Sequence, residues 1–414
     1  LFVALLIVLP NPFHALTSIL EIFMTTPFLT DAEALAAELT AIRRDLHMHP
    51  ELGFQEFRTA GIVAEQLNTL GYEVVTGVGK TGVVGLLPGG QPGDRTVLLR
   101  FDMDALPIQD AKDAPYRSQT PGVMHACGHD AHVAVGLGVA KVLAKYRDQL
   151  PGTIKLMFQP AEEGMGGALA MINDGILDRI GPPVDRALGL HVSSMHPLGT
   201  AVVRSGAMLA ASAGVTITVN GKGGHGAMPH QTVDAVVVAA QIIVALQTII
   251  ARNVDPDETG VVTIGSIMAG NAGNVIADTA TMRGTIRSFS PETKALLRRR
   301  VPEIAQGIAA TFGATAEVQI NEGVDATVNA AAPTEIVYAA AAAVLGADQI
   351  DTTFRTTGGE DFSAVLARVP GNFFFLGARN EERGISAPHH NPHFDIDERC
   401  LPQGVAILCA AAQQ

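Results

Sequence analysis

Between residues 125 and 132 the chain reads His125-Ala126-Cys127-Gly128-His129-Asp130-Ala131-His132. Three imidazoles, a thiol and a carboxylate in one short run suit a borderline-soft divalent metal. The chain holds only 13 His and three Cys, so this density does not follow from composition. Taken separately, the histidines also read as a helix-capping cluster. Cys127 also reads as a buried inert thiol or as a nucleophile. The metal-type neighbours favour coordination. Three other places carry usable chemistry. Asp102-Met103-Asp104 ends a strand, and two carboxylates two residues apart point to the same side. Gln159-Pro160-Ala161-Glu162-Glu163-Gly164 follows another strand. Adjacent loop carboxylates point in different directions, so one can hold a metal while the other works on water. Alone, these acids also read as turn and solvated loop residues. His191 closes an apolar strand, and His389, His390 and His393 lie in a proline-containing turn. These histidines matter only if the fold assembles them.

The elements that must do so follow from periodicity. Thr30-Asp31-Ala32-Glu33 reads as a capping box, with Leu35, Leu39, Ile42 and Leu46 at helical spacing behind it. Strands are expected over Gly82 to Leu87, Thr96 to Phe101, Thr153 to Phe158 and Arg186 to His191. Helices are expected over His132 to Tyr146 and near Gly166 to Asp174. Alternating strands and helices predict an α/β domain with a mixed, mostly parallel sheet. From Ala211 the pattern changes to strand, helix, strand, strand, helix, strand, ending with Ala314 to Ile320. That order is the split ferredoxin-like arrangement. A buried strand over Asn372 to Leu376 then returns to the first domain. The expected division is an N-terminal extension over 1–29, a catalytic domain over 30–210 and 322–414, and an inserted α+β domain over 211–321.

The chain has 414 residues, 47% of them hydrophobic and 17% charged, which is ample for large cores. A formal net charge of -13 argues against nucleic acid, whose phosphates require a basic surface. Three cysteines, Cys127, Cys400 and Cys409, make no disulfide framework, and a reducing, cytoplasmic setting is expected. Leu1 to Phe23 is apolar but broken by Pro10 and Pro12, and it lacks Lys and Arg. It matches neither a secretory signal nor a membrane span. Its simplest reading is translated upstream sequence, with Met24 a possible start; a degraded signal or anchor, or a genuine structural segment, are the other readings. Val233 to Ile250 is interrupted by Asp234, Gln241 and Gln247, and reads as a buried helix rather than a membrane span.

Several stretches together resemble the aminoacylase–carboxypeptidase superfamily of two-metal peptidases. They are Leu46 to Phe54, Arg100 to Pro107, Met124 to His132, Gln159 to Gly164, Gly223 to His230, Gly358 to Phe362, and His390-Asn391-Pro392. More narrowly they look like the branch of hippurate hydrolases, N-acyl-L-amino acid amidohydrolases, auxin-conjugate hydrolases and N-acetyldiaminopimelate deacetylases. The resemblance implies a Zn-peptidase-like catalytic domain with an inserted lid and dimerisation domain, and hydrolysis of the amide of an N-acyl amino acid. It implies two divalent ions (manganese, zinc, nickel or cobalt) held by Cys127, His129, Glu163, His191 and His390. Glu162 matches the general base and Asp104 an acid that orients the site. His225 matches a histidine that serves a neighbouring subunit's site, which implies a homodimer or higher homo-oligomer. Asn274 and Arg287 match positions that bind the substrate carboxylate. Taken alone, these last three read as turn and surface ion-pair residues. His389 beside His390 leaves the ligand open by one residue, and the Asn-Pro pair directly after His390 points to His390. Two departures stand out. Phe101 replaces a small residue and is expected to narrow the pocket beside Asp102, and Ala277 replaces a proline. Rival readings are a dipeptidase or carboxypeptidase on the same scaffold, a silent metal- or amino-acid-binding protein, and a thiol redox protein, the last without a C-x-x-C motif.

Overall fold

The computed structural model describes residues 27–414. The reading of Leu1 to Phe23 and of Met24 lies outside the described residues. Two compact units emerge. One comprises 27–206, Asn329–Phe354 and Ala364–Gln414; the other comprises Ala207–Val328 and Arg355–Ser363.

The first unit is built on an eight-stranded sheet. Its first strands are β1 (Glu73–Val78), β2 (Gly82–Pro88), β3 (Gln91–Asp102), β4 (Pro151–Gln159) and β5 (Arg186–Pro197). The order is β1-β2-β4-β3-β5, then Gly371–Arg379, Ala201–Val202 and Ile350–Asp351. The centre runs parallel, β4 with β3, β3 with β5 and β5 with Gly371–Arg379, whereas β1 and β2 add antiparallel pairings at one edge. The central strands are apolar on both faces because helices cover both. Helix His129–Lys145 buries fourteen of its seventeen residues. It packs with helices Ala36–Met48 and Cys400–Gln413.

Two local expectations change. Residues 27–34 are already helical, Leu35 is a turn, and helix Ala36–Met48 starts without a side-chain cap. Asp31 is therefore not a cap; it pairs with Lys145 at 2.6 Å. Phe101 does not narrow the pocket beside Asp102. Strand alternation turns its ring to the opposite face, where it is fully buried against Phe158 at 5.3 Å between centroids.

The second unit is a four-stranded antiparallel sheet in the order Gly260–Ala269, Thr279–Ser288, Ala211–Asn220, Thr315–Glu322. In chain order that is 2-3-1-4, the ferredoxin-like arrangement. Strict alternation of buried and half-buried residues along Ala211–Asn220 sets one face inward. Helices Ala235–Arg252 and Pro291–Thr311 pack on that face. Asp234 and Ser290 cap them through backbone amides. Helix Ala235–Arg252 is long and apolar enough, by length and composition, to cross a membrane. Its burial is one-sided. Ala235, Val238, Ala239, Ile242, Leu246 and Ile249 form one buried stripe, while Val236, Val237 and Val244 are exposed.

Candidate metal centre and active site

The chemistry-bearing residues of the first unit lie at the ends of its parallel strands and on the elements beside them. β3 presents Arg100 and Asp102 on one face, and Arg100 Nη1 lies 2.8 Å from Asp102 Oδ2. The loop after β4 carries Glu162 and Glu163. β5 supplies His191. The turn into helix His129–Lys145 supplies Cys127 and His129 through Gly128, whose φ is +94°. A Cβ there would sit 2.5 Å from Val192, so both conformation and space demand glycine. Among the described residues, Ala161 and His390 are two of the four non-glycine residues with positive φ; Ala161 directly precedes Glu162, and His390 is itself a site residue. The His390 amide bonds the Ala126 carbonyl at 2.8 Å, tying the C-terminal loop to the Cys127 turn.

Backbone carbonyls fix two imidazole tautomers here. A carbonyl oxygen can only accept. His129 Nδ1 bonds the Asp104 carbonyl at 2.9 Å, so Nδ1 carries hydrogen, and in the neutral ring Nε2 carries the lone pair. His191 Nδ1 bonds the Val192 carbonyl at 2.7 Å, with the same consequence. His191 Nε2 turns that lone pair toward Cys127 Sγ, 3.4 Å away. His390 Nε2 lies 3.2 Å from Glu163 Oε1. Ligand atoms of Cys127, His129 and His191 fall within 4.8 Å of one another, as do those of Cys127, Glu163 and His390. Cys127 is common to both groups. His129, Glu162 and Glu163 form a third.

These residues fit a pair of divalent ions. His129 Nε2 and Glu163 Oε1 are buried without a properly directed hydrogen bond. Asp102 Oδ2 approaches His129 Nε2 to 3.3 Å, but off the hydrogen-bonding direction. Buried acceptors left so are costly, and a cation satisfies both at once. The donor set of thiolate, imidazole and carboxylate is that of zinc and its neighbours.

The surroundings bias the charges. Burial, then Glu163, push the Cys127 thiol well above its ordinary value, against the pull of His129. Burial, then His132 and His389, hold the His191 imidazole well below its own. Burial opposes ionisation of Asp102, yet Arg100, His129 and His132 together keep its carboxyl well below the carboxylate range. The Glu163 carboxylate beside it raises the His390 imidazole above its ordinary value, against the opposing effect of burial.

Asp104 organises two site residues at once. Its Oδ1 lies 3.2 Å from His129 Nδ1 and its Oδ2 accepts the Glu163 amide at 3.0 Å. Other residues support the site from behind. Fully buried Glu56 accepts the Ala161 amide at 2.9 Å and the Thr81 hydroxyl, clamping the loop directly before Glu162. It stands two residues past the Leu46 to Phe54 stretch, which was the available signal. His132 Nδ1 donates to Asp102 while its Nε2 accepts the Val192 amide at 2.9 Å. Behind the turn, Asp130 Oδ2 bonds Arg43 Nε at 2.8 Å and His47 Nδ1 at 2.7 Å. His125 turns toward that side, 6.3 Å from the His47 ring, with neither ring nitrogen hydrogen-bonded.

In the second unit His225 and Asn274 meet on a two-stranded ribbon. His225 pairs with Val275, and the Gly226 amide bonds the Asn274 carbonyl at 2.8 Å. Both side chains belong to exposed residues. Arg287 lies apart from them, near the far end of strand Thr279–Ser288, about 27 Å from Thr279 by strand rise. Its Nη1 bonds the Ile286 carbonyl at 3.1 Å.

Residues 98–414 match the family described as Peptidase family M20/M25/M40. The chain belongs to that family. A thermostable carboxypeptidase of Saccharolobus solfataricus is 42% identical over 378 residues, 90% of this chain and 94% of its own. An IAA-amino acid hydrolase of Arabidopsis thaliana (ILR1-like 2) is 38% identical, over 91% of this chain and 84% of its own. Among solved structures, a Bacillus subtilis protein described as a dinuclear metal binding peptidase superposes with a TM-score of 0.80 at 33% identity, covering 92% of this chain and 98% of that one. This M20 chain is thus a metal-dependent hydrolase of amide bonds.

Proposed function

We propose that this M20 hydrolase cleaves the amide of N-acyl amino acids, releasing a carboxylic acid and a free amino acid. The observation that carries the reading is the meeting of the His191 Nε2 lone pair, His129 Nε2 and the Cys127 sulfur beside Glu162 and Glu163. Cys127, His129, Glu163, His191 and His390 would hold two divalent ions, of manganese, zinc, nickel or cobalt. Such ions lower the pKa of water toward about 7 and polarise the amide carbonyl.

The chain's own residues do the rest. Glu162 takes a proton from the attacking water and delivers it to the leaving nitrogen. Asp104 keeps His129 and Glu163 in register, so that neither must reorganise during reaction. An arginine fork recognises a carboxylate bidentately, the role assigned to Arg287, with Asn274 beside the substrate. His225 donates to the developing oxyanion, a contact worth about 3–4 kcal/mol in other enzymes.

His225 and Asn274 share one ribbon that Arg287 does not, which favours their serving the site of a second copy in a homodimer. Strand Gly260–Ala269 is an edge strand with Ile267 and Met268 exposed, and helix Ala235–Arg252 exposes Val236, Val237 and Val244. Such an apolar, unpaired edge suits a partner copy. Three free cysteines suit a reducing, cytoplasmic compartment.

The relative named as a carboxypeptidase favours a second reading, cleavage of a C-terminal peptide bond. Both substrates present an amide next to a free carboxylate. The test is a panel of hippurate, N-acetyl amino acids, an indoleacetyl conjugate, a plain dipeptide and a longer peptide, with each metal added after chelation. Metal-dependent release of amino acid from the acyl conjugates supports the reading. Turnover confined to peptides replaces it with the second.

A further inference from the structure

His389 stands against the centre without joining any of the ligand groups. The Ser194 amide donates to its Nε2 at 3.3 Å. A backbone amide cannot accept, so Nε2 spends its lone pair there and the neutral ring carries its hydrogen on Nδ1. Nδ1 faces Cys127 Sγ at 3.8 Å, a length suited to the larger sulfur atom. The ring is held between Phe394 and His191, at 4.8 and 5.1 Å between centroids. The neighbouring His390 differs, since it turns Nε2 toward Glu163.

We infer that His389 is a positioning residue whose Nδ1–H donates to the Cys127 sulfur and tunes it as a ligand, while His390 is the ligand. This rests on the proposed metal reading of Cys127. A lone pair offered by His389 Nδ1 would require breaking the Ser194 bond and reversing the tautomer. An N–H donor draws electron density from a thiolate. It lowers the sulfur's donor strength toward the metals and holds its lone pairs in one orientation. Sulfur shared by both ligand groups makes this one bond felt at both positions.

The experiment is absorption spectroscopy of the full chain loaded with cobalt(II), as wild type, His389→Phe and His389→Gln. The expected result has three parts. All three proteins bind the same number of cobalt ions with unchanged d–d bands. The sulfur-to-cobalt charge-transfer band moves to longer wavelength in His389→Phe. It returns toward wild type in His389→Gln, which restores an N–H donor. A band that stays in place in both folded variants overturns the proposal. So does loss of a cobalt ion or a changed d–d envelope, since His389 would then be a ligand. A wild type without any sulfur-to-cobalt band removes Cys127 from the metals altogether, a failure of the underlying metal reading that is distinct from a band that fails to shift.

Discussion

The two units hold their candidate residues in opposite ways. In the first, three imidazoles at the centre are told by neighbours which nitrogen to protonate: Asp104 for His129, Val192 for His191, Asp102 and Val192 for His132. Even the loop acids are anchored, through Glu56 and Asp104. In the second, His225 bonds only locally, its Nδ1 accepting the Ala227 amide at 3.1 Å, and Arg287 lies far along its strand from the ribbon. The first region is preorganised by its own chain. The second carries groups whose proposed tasks await a substrate or a second copy. The difference separates chemistry, which tolerates little displacement, from recognition, which can be completed on binding.

Predictions follow from that contrast, largest first. Glu162→Gln keeps size and removes the proposed base. Its kcat should fall about 10²–10⁴-fold with metal content unchanged, measured by amino acid release alongside metal analysis. Full activity would move the base elsewhere. Arg43→Met strips Asp130 of its guanidinium partner in a fully buried pair. Unfolding in denaturant should show a loss of about 3–5 kcal/mol, because an uncompensated charge stays inside. A loss under 1 kcal/mol would mean the first region is less rigid than its bonds suggest. Asp104→Asn loosens both His129 and Glu163 while leaving the ligands in place. Metal affinity should drop about 10–100-fold, read by competition with a chelating dye.

Arg287→Ala probes the other side of the comparison. KM for an N-acyl amino acid should rise roughly ten- to a hundredfold, the worth of about 1.5–3 kcal/mol for bonds to a charged group. Metal content and the KM for an acyl amide lacking the carboxylate should not move. An equal change for both substrates would assign Arg287 to the fold.

Much of the first region was legible because its chemistry is concentrated in short runs at strand ends. Cys127 and His129 announce themselves by residue type alone. His191 and His390 did not, since a histidine at the end of an apolar strand and one in a turn each have ordinary explanations. Only the fold brings them to Cys127. The supports were harder still. Glu56 acts through one backbone amide across 105 residues of sequence, a relation that no local pattern encodes. The ferredoxin-like order of the second unit could be read from alternation in Val215, Ile217 and Val219 and from the Ser290-Pro291 helix start. The short return of Arg355–Ser363 to that unit could not, because it forms no long element. Phe101 was misjudged for a related reason. Its type suggested bulk near Asp102, but side-chain alternation decides which face that bulk occupies.

The most direct test of the central claim is the metal stoichiometry of the purified chain, beside that of Cys127→Ser. The account predicts two divalent ions per wild-type chain, removable by chelation together with all amidohydrolase activity. It predicts fewer ions in Cys127→Ser at unchanged fold. A wild type that hydrolyses its substrates after complete metal removal, or a Cys127→Ser variant with a full metal complement, would contradict it.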